Sequence, residues 1–492
     1  MARRTKTGTK QEMKDGIADL IGVLNKRAAN LKQAAAQEER AVSIIKAPAR
    51  KKRRANVRKE PEAPVWTGQY DDLILGNGPK GTYSMDPQKS AANSNTLVVS
   101  STSGGKTTSV VEANLLHAEF LSMVILLTKR RLLDQYGPYL RKRGYEVKVL
   151  DLVNPQKSDV GYDPIRHIKD DSDIRSLTKH LVKASGCASP REPFWETSPA
   201  SLLNAFIKLA KHKFGKRASM TDVLELFRHI GVHSKYCMDE DTGEEVEFKY
   251  CPAEDFLEYR EVDPNMYLDW NQYRTNHPNT AACIQGVLSA ALGNIADNSI
   301  CRLMDMKQQL DFTSLVQKKT VLFIITSPVN TAHHPYANLL LGSMFKELFE
   351  YAESLPTGRL PIPLRVICDD FATGGQIPDF QQHISIFREK GISVMMLVQS
   401  LSQLAAMYDD NGAKIIRDNT DNTVYLGGND VTTAAEISYR INRPVDEVLA
   451  LPIGQEYLIR RGQPSLKLQR YQLYDDPLYR KMFKSGGAAS SR

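Results

Sequence analysis

One stretch constrains the fold of this chain more than any other: residues 96–116, TLVVSSTSGGKTTSVVEANLL. An apolar, β-branched run enters a turn of small residues, and a helix-periodic run follows without a spacer. A strand, a Gly/Ser-rich loop and a helix in that order form a phosphate-binding loop. Its successive backbone N–H groups and the helix N-terminus together make a nest for an anion. Ser101, Thr102, Ser103, Gly104, Gly105, Lys106, Thr107 and Thr108 are the residues expected around a nucleotide's phosphates. Lys106 would reach the β- and γ-phosphates, and the Thr107 hydroxyl would ligate Mg²⁺. The motif's leading glycine is replaced by Ser100.

Such a loop sits at the end of a strand in a sheet covered by helices on both faces. Further buried-strand patterns occur at 123–127, 147–152, 320–326, 365–370, 393–399, 423–426 and 456–459, several of them near-continuous Val/Ile/Leu runs. Helical patterns at 107–119, 132–143, 337–354, 378–390 and 432–441 alternate with them. This alternation predicts a doubly wound α/β domain. It breaks between 187 and 312, where helical patterns at 200–212, 220–231 and 280–294 stand almost alone, and this stretch reads as an inserted all-α domain. The expected organisation is a basic tail over 1–63, the α/β domain in two parts (64–186 and 313–475) around the insertion, and a flexible C-terminal tail over 476–492.

A phosphate loop requires a metal-side acid at a neighbouring strand end. LRVICDDFATGG supplies Asp369 and Asp370 there. Asp369 would hold the Mg²⁺ shell, and Asp370 would polarise the attacking water. Many such enzymes carry Glu at the second position, one methylene longer. Gln399, ending SVMMLVQ, is placed to sense the γ-phosphate or orient water. Arg388, in SIFREKG, is placed to act as an arginine finger on a neighbouring subunit's nucleotide.

Charge limits how such a chain meets nucleic acid. The net +8 is uneven: residues 1–60 hold 17 basic and 6 acidic side chains, and 459–492 hold 8 and 2. The body between them is net acidic, which excludes a protein that coats nucleic acid with its whole surface. Within the tail, apolar positions 13, 17, 20, 21, 24 and 31 form a helical stripe, followed by the charge run APARKKRRANVRKEPEAP. The tail is either solvated or a docking helix with an electrostatic tether. No apolar run reaches the ~20 residues that span a bilayer. Six cysteines without a CxxC spacing fit a reducing cytoplasm. Cys237 and Cys251 flank MDEDTGEEVEFKY, which reads as a hairpin.

Over residues 70–475 the chain resembles the TraG-type coupling proteins of type IV secretion, ring-forming ATPases related to RecA- and FtsK-like motors. The carriers are GTYSMDPQKSAANSNTLVVSSTSGGKTT, YLRKRGYEVKVLDLVNPQKSDVGYDP and EPFWETSPASLLNAF. Most specific is RLPIPLRVICDDFATGGQIPDFQQHISIFREKGISVMMLVQSLSQLAAMY, with NTVYLGG after it. The resemblance implies a RecA-like P-loop NTPase domain using ATP and Mg²⁺. Lys106 and Thr107 fall at the family's nucleotide and metal positions, Asp369 and Asp370 at Walker B, Gln399 at the sensor, and Arg388 at the trans-acting arginine. The insertion corresponds to the all-α domain that faces the relaxosome. Two departures stand out. Relatives usually carry N-terminal transmembrane helices where this chain has its basic tail. Their Asp-Pro-Lys-Gly-Glu after the second strand is here Thr128-Lys129-Arg130-Arg131, a potential phosphate or DNA contact or else a solvated turn.

The resemblance implies an ATP-driven, homohexameric motor that recruits a relaxase–DNA substrate and pumps single-stranded DNA and protein into a type IV secretion channel. It would be cytoplasmic, held at the inner face of the membrane by a separate membrane protein. Alternatives are a recruitment platform with weak or lost ATPase, or a related DNA-partition or packaging translocase.

Overall fold

The computed structural model describes residues 71–484, except 187–191, 231–232, 239–244, 251–262 and the single positions 80, 91, 103, 229, 294 and 372. The expectations for the 1–63 tail, its docking stripe, Ser103 and Cys251 lie outside the described residues. The chain forms two compact units: residues 61–162 with 306–492, and the insertion between them, 163–305.

The first unit is built on an eleven-stranded sheet. Its strands are β1 (Leu73–Gly78), β2 (Gly81–Met85), β3 (Thr96–Val99), β4 (Ser122–Leu127), β5 (Glu146–Asp151), β8 (Thr320–Ile325), β9 (Leu364–Cys368), β10 (Ile392–Val398), β11 (Asn422–Tyr425), β12 (Gln455–Arg460) and β13 (Leu466–Gln469). The spatial order is β2-β1-β13-β12-β11-β3-β10-β9-β4-β8-β5. From β11 to β5 every pairing is parallel. From β11 to β2 every pairing is antiparallel. The parallel strands β3, β4, β8, β9 and β11 are buried along their whole length, as two-faced coverage demands. The eight expected strands are all present within a residue or two of their sequence boundaries. The sheet is thus the large mixed sheet of an α/β P-loop fold.

Helices Arg131–Lys142, His334–Ser354, Leu401–Asp418 and Val431–Ile441 join the strands. The expected helix 378–390 is two short pieces, Phe380–His383 and Phe387–Lys390. Asp379 enters the first piece in the left-handed region at φ 50°. Residues 476–484 are not a free tail. Tyr479 and Phe483, one helical turn apart, stack at 4.9 Å, and Phe483 lies 5.2 Å from Tyr136 and 5.7 Å from Tyr139 on the helix Arg131–Lys142. That aromatic contact anchors the C-terminal segment.

The inserted unit begins at Asp163 rather than 187, because helix Asp171–Ala184 packs with it: Thr178 Oγ1 donates to Asn204 Oδ1 of helix Phe194–Phe214 at 2.8 Å. Its core places Phe206 against Trp270 at 6.1 Å. The helices are joined by one antiparallel hairpin, β6 (His233–Met238) with β7 (Glu245–Tyr250), where the acidic stretch predicted a hairpin. The unit is therefore helical with one added hairpin rather than all-α. No helix of the described residues is long and apolar enough to cross a membrane.

Candidate nucleotide site

Three neighbouring parallel strands, β3, β10 and β9, end at the same rim of the sheet, and their ends build the site. β3 runs into the loop. Ser100 N donates to Val398 O at 3.1 Å, and Ser101 N donates to Gly427 O at 3.1 Å, which fixes the loop's first turn to both flanking strands. Ser100, at the motif's leading glycine, is fully buried. Its hydroxyl fits because Gly104 has no side chain; a Cβ there would overlap Ser100 Oγ. Gly105 turns in the left-handed region at φ 79°, where glycine carries no steric cost. The following helix opens as a π-helical turn, Thr107–Val111, and continues as α-helix over Glu112–Leu116.

Lys106 is buried and folds back on the loop, donating from Nζ to Ser100 O at 2.9 Å and to Val398 O at 3.4 Å. Burial holds its ammonium below the usual lysine range, while Asp370 and Asp369 oppose the shift. Asp369 follows β9, and its N–H donates to Leu126 O at 3.1 Å. Burial pushes its carboxyl up to about 6, and the Asp370 charge adds to the rise; Lys106 and Lys129 counter it. Asp370 adopts φ 56°, the left-handed region that aspartate tolerates better than most residues. Gln399 is exposed at the end of β10, its N–H donating to Gln403 Oε1 at 3.0 Å.

The donor set fits Mg²⁺. Two adjacent carboxylates, one raised by burial and by its neighbour's charge, gain from a hard divalent cation, and Thr107, which opens the helix next to Lys106, would add a hydroxyl oxygen. The site thus draws together Lys106, Asp369 and Asp370 by their electrostatic coupling, and sets Gln399 on the intervening strand. Arg388 is not brought to them. It lies exposed on Phe387–Lys390, before β10 begins, so the length of β10, about 20 Å at the usual rise per residue, separates it from the loop rim.

Sequence reasoning missed Arg470. Directly after β13, it donates from Nη1 to Gly104 O at 2.7 Å, from Nε to Gln455 O at 3.1 Å, and from Nη2 to Leu426 O. The guanidinium grips the phosphate loop by its backbone. Beside it, Glu456 is buried and its carboxyl is pushed up to about 8 by burial, only partly offset by Arg470. No local motif marks either residue: Glu456 lies in β12, and Arg470 directly follows β13. The basic run after β4 also resolves differently from either sequence reading. Arg130 pairs with buried Asp151, and Arg131 pairs with Glu112, whose other oxygen accepts from Tyr136 OH at 3.0 Å. Lys129 stays exposed and close enough to act on Asp369.

Comparison with known proteins places this geometry in context. The family model for type IV secretory system conjugative DNA transfer matches residues 28–443. Protein VirD4 of Rhizobium rhizogenes is 21% identical over 464 residues, covering 86% of this chain and 62% of VirD4, so the chain spans about three-fifths of that relative. Among solved structures, the bacterial conjugative coupling protein TrwBdeltaN70 in complex with sulphate aligns with a TM-score of 0.60 at 16% identity, over 84% of this chain and 93% of that one. Plasmid coupling protein TrwB in complex with ADP and Mg²⁺ aligns at 0.55 and 17% identity, over 78% and 87%. At these identities the structural likeness establishes the fold.

Proposed function

Since the chain belongs to the type IV secretory system conjugative DNA-transfer family, we propose that it is an ATP-driven coupling protein that passes single-stranded DNA with its relaxase into a secretion channel. The observation that carries the reading is the coupling of Lys106 to Asp369 and Asp370 across the ends of β3 and β9, with Gln399 on the strand between them. TrwB, which shares the fold, has been seen with ADP and Mg²⁺.

In the proposed reaction, Lys106 leaves the Ser100 and Val398 carbonyls and turns to the β- and γ-phosphates, while the loop's N–H groups cradle them. Thr107 and Asp369 would hold Mg²⁺, which supplies charge neutralisation to the transferring phosphoryl group. Asp370 orients and deprotonates the attacking water, and Gln399 reads the γ-phosphate. Arg388 acts on the nucleotide of a neighbouring copy in a homohexameric ring. The inserted unit selects the relaxase-bound substrate, and a membrane protein recruits the ring to the inner face of the membrane and the secretion channel.

ATP turnover of the purified chain, with and without single-stranded DNA, tests this. Turnover stimulated by DNA and abolished in Lys106→Ala is expected. Turnover that ignores both would instead favour a recruitment platform, the reading motivated by Ser100 and Asp370.

A further inference from the structure

Asp369 and Asp370 stand just upstream of residues 373–378, which form neither helix nor strand. Two non-glycine residues in the left-handed region lie before and after that segment, Asp370 at φ 56° and Asp379 at φ 50°. Such backbone costs energy and persists where its surroundings hold it. Here the holding comes from two helices, one on each side.

On one side is the helix His334–Ser354, in which His334, Asn338 and Gly342 follow one another at single-turn spacing along one face. His334 is buried; its Nε2 donates to Ser327 O at 2.9 Å, just past β8, and its Nδ1 lies 3.4 Å from Thr373 O. Asn338, also buried, donates from Nδ2 to Gly375 O at 3.0 Å. A Cβ on Gly342 would fall 2.8 Å from the Pro378 ring, so helix and segment meet there with no side chain between them. On the other side is the helix Leu401–Asp418, which follows Gln399 at the end of β10. Its buried Tyr408 accepts from Ile377 N at 3.0 Å and stacks on the Phe371 ring at 5.5 Å and 7°. Phe371, directly after Asp370, donates from its N–H to Leu397 O of β10 at 2.9 Å.

His334, Asn338 and Tyr408 all meet the main chain of the segment, so they set its course whatever side chains it carries. Catalytic carboxylates need such support, because a small displacement of a reacting group costs rate out of proportion to its size. We propose that His334, Asn338 and Tyr408 are positioning residues for the acid pair: by fixing Phe371 and residues 373–378 they fix the direction in which Asp369 and Asp370 leave β9. The inference rests on the ATPase reading for what those acids do.

The test uses the full chain and two near-isosteric variants. Tyr408→Phe removes the hydroxyl and keeps the stack, and Asn338→Leu removes the amide. Three quantities are read: ADP affinity without metal, Mg²⁺ affinity of the ADP-loaded chain by calorimetry, and kcat for ATP. Partners that orient metal-holding groups contribute about 10–100-fold, so Mg²⁺ affinity and kcat should each fall about tenfold in both variants. Metal-free ADP affinity should stay within about twofold, because the phosphate loop keeps its own bonds to Val398 O and Gly427 O. His334→Gln, which keeps a donor for one carbonyl, should lie between the parent and His334→Ala in kcat. Parental Mg²⁺ affinity and kcat in both near-isosteric variants overturn the positioning role. So does a loss of all three quantities in step with a lowered melting temperature, which is what a merely structural role would give. A parent that binds Mg²⁺ with ADP but does not turn over ATP defeats the ATPase reading alone, and the Mg²⁺ titration still decides the hold on Asp369. A parent that binds no Mg²⁺ with ADP overturns both.

Discussion

The Arg470 guanidinium donates to the Gly104 carbonyl at 2.7 Å, so the last strand of the sheet holds the phosphate loop from the side opposite β10. Two further carbonyls, Leu426 O and Gln455 O, share the same planar group. Arg470→Ala therefore frees the loop without touching a phosphate ligand. The expected outcome is a roughly tenfold higher KM for ATP with a smaller change in kcat, and a stability loss of about 1–3 kcal/mol from charged hydrogen bonds. Arg470→Lys should not rescue KM, because an ammonium lacks the fork that spans three carbonyls. Steady-state kinetics and thermal melts read both effects.

Asp370 combines a chemical assignment with a backbone constraint. Asn tolerates φ 56° as Asp does, so Asp370→Asn should melt within a few degrees of the parent. Turnover should fall by about 10²-fold or more if this carboxylate is the base, since general-base contributions run to about 10²–10⁴. Nucleotide affinity, measured separately, should change little. Turnover near the parental value would remove Asp370 from the chemistry.

The Asp369 carboxyl at about 6 gives a pH dependence with a defined sign. Its folded pKa lies above the unfolded 3.8, so the folded chain binds more protons between about 4 and 6. Its contribution therefore opposes folding increasingly as pH rises through that window and stays constant above it. Metal binding runs the other way: below about 6, proton and Mg²⁺ compete, and apparent Mg²⁺ affinity should fall about tenfold per pH unit. Lys129→Ala removes a charge that favours the carboxylate, and should move this break to higher pH. Mg²⁺ titrations between pH 5 and 8 in both chains provide the measurement.

Arg131 and Lys129, two residues apart, should behave differently. Arg131→Ala strands a buried Glu112, which still accepts only from Tyr136, and should cost about 2 kcal/mol, below the range for a fully buried pair because Arg131 is half exposed. Lys129→Ala, at an exposed position, should leave the melting temperature within about a degree. Denaturant unfolding of the two variants decides between a structural run and a surface turn.

The parts of this protein that could be read in advance are those where one local pattern has one physical solution. A β-branched run into SSTSGGKT reads as a strand feeding a phosphate loop, and RVICDD as a buried strand with acids at its end. The antiparallel arm was harder: β1 and β2 carry glycines, β2 is largely exposed, and β13 is four residues long. Arg470, directly after β13, was hidden with it, whereas Glu456 lies in β12, whose strand pattern was legible though its buried carboxyl was not. The basic run after β4 was illegible for another reason. Its partners, Asp151 and Glu112, come from distant sequence, and only the folded sheet shows that the charges neutralise buried acids.

The insertion leaves and re-enters the sheet unit at a single clip. Gly161 N donates to Gln308 O at 2.8 Å, and Leu310 N donates to Gly161 O at 2.8 Å, so the two ends of the excursion are hydrogen-bonded neighbours. Entry and exit at one point make the segment a cassette: a short turn could bridge Tyr162 to Met306 without moving a strand. Sequence drift within the cassette is thereby decoupled from the strands that carry the phosphate loop.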